Sequence, residues 1–192
     1  MGHLANAGIL IIQVLFGLAI SLFFFRLLMQ GLRVDFRNPV SQFVYRATNP
    51  VLMPIQKMLP VIRGWNLAAV MICLLLMVVQ TWLVYWISVG ALPWPNLLVV
   101  SFALLIEYAA SALFFLVLIR VILSWVSPDP RNPVVQILIR LTDPMMKPFR
   151  RLIPPLGGFD ISPVFLMLAL QLVRILIAAP LLDVGQGLSF GG

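Results

Sequence analysis

The sequence predicts an all-α membrane protein in which four transmembrane helices form two parallel tandem repeats, each with a cytoplasmic linker of short amphipathic interfacial helices. Three observations predict this class: the composition, four long apolar runs, and an internal repeat in phase with those runs. The 192 residues are 62% hydrophobic and 10% charged, whereas soluble domains are about 45–50% apolar and about 25% charged. One small core cannot hide so much apolar surface from water, so lipid is the expected solvent.

Four apolar runs are long enough to cross a bilayer, which takes about 20 helical residues. We place the spans at residues 7–30, 67–89, 97–126 and 161–182. At about 1.5 Å per residue the third run exceeds the hydrocarbon core, so we expect it to tilt or to project into the cytosol. The spans divide the chain into a first repeat at 1–92, a second repeat at 93–183 and a flexible tail at 184–192.

Basic residues predict the orientation of the spans. The linkers at 31–66 and 127–160 carry ten Lys and Arg residues, whereas the N-terminal segment, the "ALPWPN" turn and the tail carry none. The positive-inside rule therefore places both linkers in the cytoplasm and both termini outside. Because this bias accounts for most of the net charge of +7, topology explains the charge better than a dedicated anionic-lipid site, and nucleic-acid binding is not expected.

The two linkers contain nearly the same phrase. "DFRNPVSQFVYRATNP" begins at Asp35 and "DPRNPVVQILIRLTDP" begins at Asp129, and an offset of 94 aligns residues 26–81 with 120–175 without a gap. This register indicates a tandem duplication of one unit that contains two spans and a linker. Because each unit crosses the membrane twice, both copies have the same orientation and are related by an axis along the membrane normal.

The repeated phrase is a set of helix-start signals. Asn38-Pro39 and Asn132-Pro133 each combine an Asn that caps free N–H groups with a Pro that is well tolerated at the first helical position. The same device recurs at Asn49-Pro50 and Asp143-Pro144. We therefore expect two short helices in each linker, near 39–47 and 50–59, and near 133–141 and 144–153.

An apolar stripe with i, i+3, i+4, i+7 spacing marks the first helix of each linker. It consists of Val40, Phe43, Val44 and Ala47 in the first copy, and of Val134, Ile137, Leu138 and Leu141 in the second. Helices this short cannot cross a bilayer, so we expect them to lie flat in the inner-leaflet interface. The alternative is a phosphate or lipid head-group site that combines the helix N-termini with Arg37, Arg46, Arg131 and Arg140.

Two further arginines occupy equivalent positions in the repeats. Arg26 and Arg120 lie near the predicted cytoplasmic ends of the first and third spans. Snorkelling to the interface is the favoured interpretation. Because both copies carry the arginine, head-group binding and capping of the linker carbonyls stay open as alternatives.

Two polar couples lie deep inside the spans. Glu107 and Arg174 lie at matching depths on antiparallel spans, counted at about 1.5 Å per residue. Subtracting the repeat offset maps them to Gln13 and Gln80, a second couple at one depth. A charge at the centre of a span costs about 2.5–3.5 kcal/mol on insertion scales and normally finds a partner. An interhelical lock is favoured, and a proton- or ion-sensitive site in a shared cavity is the alternative.

The sequence offers little for catalysis. His3 is the only histidine and Cys73 is the only cysteine. One chain therefore cannot supply a His-dependent triad, a multi-His metal site or a disulfide. We expect no enzyme activity and no cofactor.

The string "RNP…Q…R.T.P…P…P..GG.D.SP" after a transmembrane helix, present twice, resembles the YggT/YlmG family of small bacterial and plastid membrane proteins. The likeness covers roughly residues 10–180, and the first copy departs from it where "RGWN" at 63–66 replaces "GGFD" at 157–160. The resemblance implies an integral protein of the bacterial inner membrane, with no established enzyme activity and with links to osmotic or envelope stress. It also implies relatives in division-site or nucleoid organisation, or in cofactor assembly on a plastid cytochrome complex.

These observations favour a non-catalytic membrane scaffold, or an envelope and osmotic-stress tolerance factor, that contacts lipids, a partner membrane protein or a second copy of itself. The alternative is a subunit of an oligomeric ion channel or transporter, because four spans in one chain make only a thin pathway. Ion flux in reconstituted vesicles separates the two classes.

The predicted orientation is testable by cysteine labelling in intact cells. A membrane-impermeant thiol reagent should modify Gly187→Cys and leave Gln42→Cys and Gln136→Cys unmodified, because only the C-terminal segment is expected outside. Permeabilised cells provide the control, since all three positions then become accessible. The opposite labelling pattern would show that the orientation is wrong.

Overall fold

The computed structural model describes residues 2–126, 129, 131–152 and 160–190. Within them the chain is almost entirely helical, which confirms the predicted class. The helices are α1 (His3–Gly31), α2 (Pro39–Gln56), α3 (Leu67–Ser88), α4 (Trp94–Val126), α5 (Pro133–Leu152), α6 (Ser162–Val173) and α7 (Ala179–Phe190), and a π-helical turn at Arg174–Ala178 joins the last two. A short antiparallel hairpin, β1 (Val61–Ile62) and β2 (Trp65–Asn66), precedes α3.

Four helical segments are long and apolar enough to cross a membrane, and they correspond to the four predicted spans. They are His3–Gly31, Leu67–Ser88, Trp94–Val126 and Ser162–Gly187. At most 33% of the most apolar window in any of them is buried inside the protein. Most of their apolar surface is therefore left for lipid, as expected of a multi-pass membrane protein.

Helix α4 has the central position in the packing. It packs against α5, α6, the π turn and α7 of its own repeat, and also against α3 of the first repeat. The linker helices α2 and α5 form a second contact between the repeats. The main apolar core lies in the half of the spans nearest to these linker helices, and includes Phe23, Phe24, Leu28, Ile72, Leu116, Leu138 and Leu141.

In the described part of each linker there is one continuous helix, so the prediction of two short helices is wrong. Helix α2 continues through Pro50 and Pro54, and α5 continues through Pro144 and Pro148. All four prolines lie on the exposed side of their helices. On the opposite side the helices are held against the core, for example by Leu52, which has no exposed surface. Tertiary packing on one face therefore offsets the hydrogen bond that each proline removes on the other.

The buried face of α2 also differs from the predicted stripe. Ser41, Val44, Thr48 and Leu52 face the core, whereas Phe43 is 67% exposed. The Thr48 hydroxyl donates to the Val44 carbonyl oxygen at 2.7 Å, so a small polar residue is buried with its hydrogen bond made inside the helix. In α5 the predicted Ile137, Leu138 and Leu141 are buried, and Val134 is exposed.

The segment predicted as a flexible tail is helical as far as Phe190. Its packing depends on Gly185: the Asn96 side-chain amide donates to the Gly185 carbonyl oxygen at 2.9 Å. A Cβ atom on Gly185 would lie 2.7 Å from Cγ2 of Val100. The glycine thus allows α7 to approach α4 closely, and this contact extends the fourth span. Residues 191–192 of the predicted tail lie outside the described part.

The sequence did not predict the hairpin before α3. Arg63 and Gly64 both have positive φ, at 52° and 93°. Two consecutive residues of this kind form the turn that fits the twist of a two-residue β-hairpin.

The contact between α4 and α7 gives a stability prediction. Gly185→Ala should destabilise the protein by about 1–3 kcal/mol, because the new methyl group overlaps Val100. Gly187→Ala is the matched control: its Cβ meets nothing within 4 Å, and alanine favours a helix over glycine by about 0.5–1 kcal/mol. Thermal unfolding in detergent measures both variants. Equal stability of the two would show that the close approach is absent.

Candidate functional site

The main candidate site is a polar cleft within the membrane-spanning part, between α1, α3 and α4. It has a volume of about 320 Å³. Its apolar walls come from Met77, Val84 and Leu104, and its polar lining comes from Gln13, Gln80, Thr81, Tyr85, Glu107, Tyr108 and Ser111. We call this feature the intramembrane cleft. Both repeats contribute to it, so it exists only in the assembled fold.

The structure brings Glu107 and Arg174 together. Nη2 of Arg174 lies 3.0 Å from Oε1 of Glu107, and Nη1 of Arg174 donates to the Gln171 side-chain oxygen at 2.8 Å. The pair links α4 to the fourth span, as the matched depths predicted. Each charge cancels the other, which lowers the cost of carrying both into lipid.

Arg174 also begins the π-helical turn at Arg174–Ala178. Such turns are rare, and they often occur at functional sites. The repeat counterpart of Arg174 is Gln80, which lies within the uninterrupted helix α3. The π-helical turn is therefore specific to the repeat that carries the ion pair. The sequence did not predict it.

The predicted couple of Gln13 and Gln80 is not joined by a hydrogen bond in the described structure. Both side chains instead line the intramembrane cleft together with Glu107. The Gln80 side-chain oxygen is buried and has no hydrogen-bond partner. Three of the four residues of the two couples thus line one cleft, and only the charged couple forms a direct contact.

Sequence reasoning missed four polar residues of the cleft, which are Thr81, Tyr85, Tyr108 and Ser111. Tyr108 shares a short hydrogen bond with Ser21, and its ring meets Phe24 edge to face with centroids 6.1 Å apart. Thr81 is 3% exposed, and its hydroxyl has no hydrogen-bond partner. The repeat offset places Ile175 opposite Thr81 and Val14 opposite Tyr108, so the comparison of the two copies gave no sign of either.

The linker helices form a second candidate site. Asn38 and Asn132 cap α2 and α5 as predicted, since each side-chain oxygen accepts the backbone N–H two residues later at 2.9 Å, directly after Pro39 and Pro133. The Asn38 side-chain amide also donates to the Pro133 carbonyl oxygen at 2.8 Å. The repeated phrase therefore makes the same turn twice, and one of its caps ties the two linker helices together.

Four of the predicted head-group arginines are exposed. Arg37, Arg46, Arg131 and Arg140 lie on the surface, and none forms an ion pair within the described residues. Arg46 also borders a hollow beside Gln42 and Phe43 on α2. The four guanidinium groups are therefore free to contact an external anion.

Snorkelling to the interface was favoured for Arg26 and Arg120, with head-group binding as an alternative, but both side chains are instead engaged inside the protein. Arg26 is 6% exposed, and its guanidinium lies 3.2 Å from the centroid of the Tyr45 ring. Burial raises the pKa of the Tyr45 hydroxyl, and the positive charge of Arg26 only partly offsets this. Arg120 donates to the Thr142 hydroxyl and pairs with Asp143, both at 2.6 Å. Each arginine thus joins a span to its linker helix.

The joint in the second repeat extends into a chain of charges. Arg150 contacts Asp143 at 3.4 Å and Asp160 at 2.8 Å, and Asp160 accepts the backbone N–H of Ser162 at the start of α6. Burial acts to raise the pKa of Asp160, but the hydrogen bonds from Ser162 and Arg150 outweigh it, and the pKa lies below its usual value. Asp143 is therefore part of an ionic joint and does not begin a helix.

Comparison with known proteins decides the family. The family model described as CCB3/YggT matches the chain twice in tandem, at residues 5–87 and 99–181. The chain belongs to the CCB3/YggT family. The two matches coincide with the two repeats, and each includes two spans and one linker helix.

Relatives of this YggT-family chain are found in bacteria and plastids. An uncharacterised protein of Pseudomonas aeruginosa is 37% identical over 91% of this chain and 89% of its own length. Protein YggT of Escherichia coli K12 is 30% identical over 84% of both chains. The chloroplastic YlmG homolog protein 2 of Arabidopsis thaliana is 40% identical over 29% of this chain and 22% of its own length. No solved structure matches the chain.

A double-mutant cycle tests the ion pair. Glu107→Gln or Arg174→Gln alone should destabilise the YggT-family protein in detergent, because each leaves a single charge in the membrane-spanning part. The double change should cost less than the sum of the two, with a coupling of about 0.5–3 kcal/mol, because it leaves no lone charge. Thermal unfolding of the four proteins provides the measurement. Strictly additive losses would show that the two side chains do not interact.

Proposed function

We propose that this protein is a non-catalytic scaffold of the bacterial cytoplasmic membrane, whose linker helices bind anionic lipid at the cytoplasmic surface. The observation that carries the proposal is the set of four exposed arginines on two linker helices, Arg37, Arg46, Arg131 and Arg140, which have no carboxylate partner in the described part of the chain. Tolerance of osmotic or envelope stress is the physiological role that we assign to it. Its further partner is another membrane protein or a second copy of the chain.

The proposed orientation has both linkers in the cytoplasm and both termini outside. Helices α2 and α5 would then lie at the inner leaflet, where exposed apolar side chains such as Phe43 and Val134 enter the acyl region. The four guanidinium groups would lie at the depth of the phosphate groups. Phosphate is a strong acceptor for arginine, which can donate two parallel hydrogen bonds to it.

Pre-organisation favours such a lipid site. The bond from Asn38 to the Pro133 carbonyl holds the two helix starts together, and the joints at Arg26 and Arg120 hold each linker helix to a span. Basic groups carried on fixed helices lose less freedom on binding than groups on a loose loop. This rigidity supports a scaffold that gathers lipid or partners at a defined place.

A second candidate function is supported by the intramembrane cleft. Polar groups facing a cleft at membrane depth are typical of pathways for ions or solutes. The chain would then be a subunit of an oligomeric channel or transporter. Ion flux into vesicles that contain the purified protein favours this candidate, whereas intact ion gradients favour the scaffold.

The lipid proposal predicts the effect of removing the four exposed charges. Replacing Arg37, Arg46, Arg131 and Arg140 by Gln should weaken binding of phosphatidylglycerol to the purified protein by about tenfold or more, since each charge near an anionic surface contributes about 1 kcal/mol. Binding of neutral phosphatidylcholine should not change. Native mass spectrometry in detergent measures both lipids.

A charge-matched variant provides the control for this experiment. Changing Lys57, Arg63, Lys147 and Arg151 to Gln removes the same four positive charges from the linkers, and all four positions are exposed. This control should retain most of its phosphatidylglycerol binding. An equal loss in both variants would leave the arginines only a topological role and would overturn the proposed lipid site.

A further inference from the structure

The intramembrane cleft contains polar groups whose hydrogen bonds are not made. Thr81 lines the cleft and has only 3% of its surface exposed. Its hydroxyl has no hydrogen-bond partner among the described residues. The side-chain oxygen of Gln80, the preceding residue, is also buried and unpartnered. A buried polar group without a hydrogen bond costs about 1–3 kcal/mol. Lipid chains cannot make the missing hydrogen bonds, so a polar molecule is the expected occupant of the cleft.

The charges around the cleft restrict the kind of occupant. Glu107 presents a carboxylate to the cleft, which disfavours an anion. Its charge is already neutralised by Arg174 at 3.0 Å, so a cation would meet no net negative charge to balance it. The groups that lack partners are a hydroxyl, which can donate and accept, and an amide oxygen, which accepts. A neutral molecule bearing hydroxyl groups matches both of them.

The volume sets the size of the occupant. The cleft measures about 320 Å³, and one water molecule takes about 30 Å³ in the liquid. It therefore has room for a cluster of several waters or for a three-carbon polyol. A disaccharide would take up about the whole of this volume.

We infer that the intramembrane cleft is a binding site for neutral hydroxyl compounds, held by Gln80 and Thr81, with either water or a small polyol as the occupant. The inference does not depend on lipid binding by the linker helices, because no residue of that site lines the cleft. It gives Gln80 of the first repeat a role as a ligand contact, whereas its counterpart in the second repeat, Arg174, forms an ion pair.

Thiol labelling in reconstituted vesicles tests the inference on the full chain. Thr81→Cys should react with the water-soluble reagent 2-aminoethyl methanethiosulfonate, because the reactive thiolate forms only where water or a similar hydroxyl compound reaches the sulfur. Leu75→Cys is the control. It lies on the same helix with 57% of its surface exposed to the lipid side, and its labelling should be at least about tenfold slower. Native Cys73, 2% exposed, gives the unlabelled background.

Two solutes of equal osmolality distinguish the occupants. Protection of Thr81→Cys by glycerol, with none by sucrose, supports a polyol site, because glycerol is the smaller solute and takes up only part of the cleft. Labelling that neither solute slows supports water as the occupant. Labelling of Thr81→Cys no faster than that of Leu75→Cys would overturn the inference. If Thr81→Cys does not elute as a folded protein, Ser111→Cys reports on the same cleft and decides between the same outcomes.

Discussion

The hydrocarbon core of the bilayer forms no hydrogen bonds, and this constraint governs the whole structure. Every polar group carried into a span must find its partner within the protein or in a cavity that admits a polar molecule. The pair of Glu107 and Arg174 meets this requirement by mutual neutralisation, and Tyr108 meets it through Ser21. The Thr81 hydroxyl and the Gln80 side-chain oxygen find no such partner among the described residues. The intramembrane cleft is therefore one place in the spans where a polar molecule from outside the chain can make the missing hydrogen bonds.

The two repeats attach their linker helices to a span through different interactions. In each, an arginine at the end of a span must hold the linker helix. In the first repeat Arg26 lies over the Tyr45 ring, an attraction worth about 2 kcal/mol when the cation is desolvated. In the second, Arg120 reaches Thr142 and Asp143. The equivalents of Tyr45 and Asp143 are Ile139 and Asn49, so each arginine uses the partner that its own copy offers.

Sequence differences between the two repeats also suit them to different roles. The first copy keeps neutral amides at the depth where the second has an ion pair. A neutral couple costs less in lipid and can stay open to a ligand, whereas a charged couple must remain closed. The ion pair is therefore suited to joining α4 with the fourth span, and the amides are suited to binding. One duplicated unit can in this way supply both a structural joint and a contact surface.

The sequence by itself determined the four spans, the duplication and the caps at Asn38 and Asn132, because hydropathy and capping act over short distances along the chain. It also predicted the pairing of Glu107 with Arg174, because the fixed rise per residue of a helix gives the depth of each side chain in the membrane. Only the tertiary structure decided that helix α2 runs through Pro50, that α7 continues past Gly185, and that Arg26 is buried. Each of these depends on which faces pack together, and packing between distant segments can outweigh local signals by supplying contacts that no short stretch of sequence contains. The intramembrane cleft belongs to the same class, since its lining comes from three helices of two repeats.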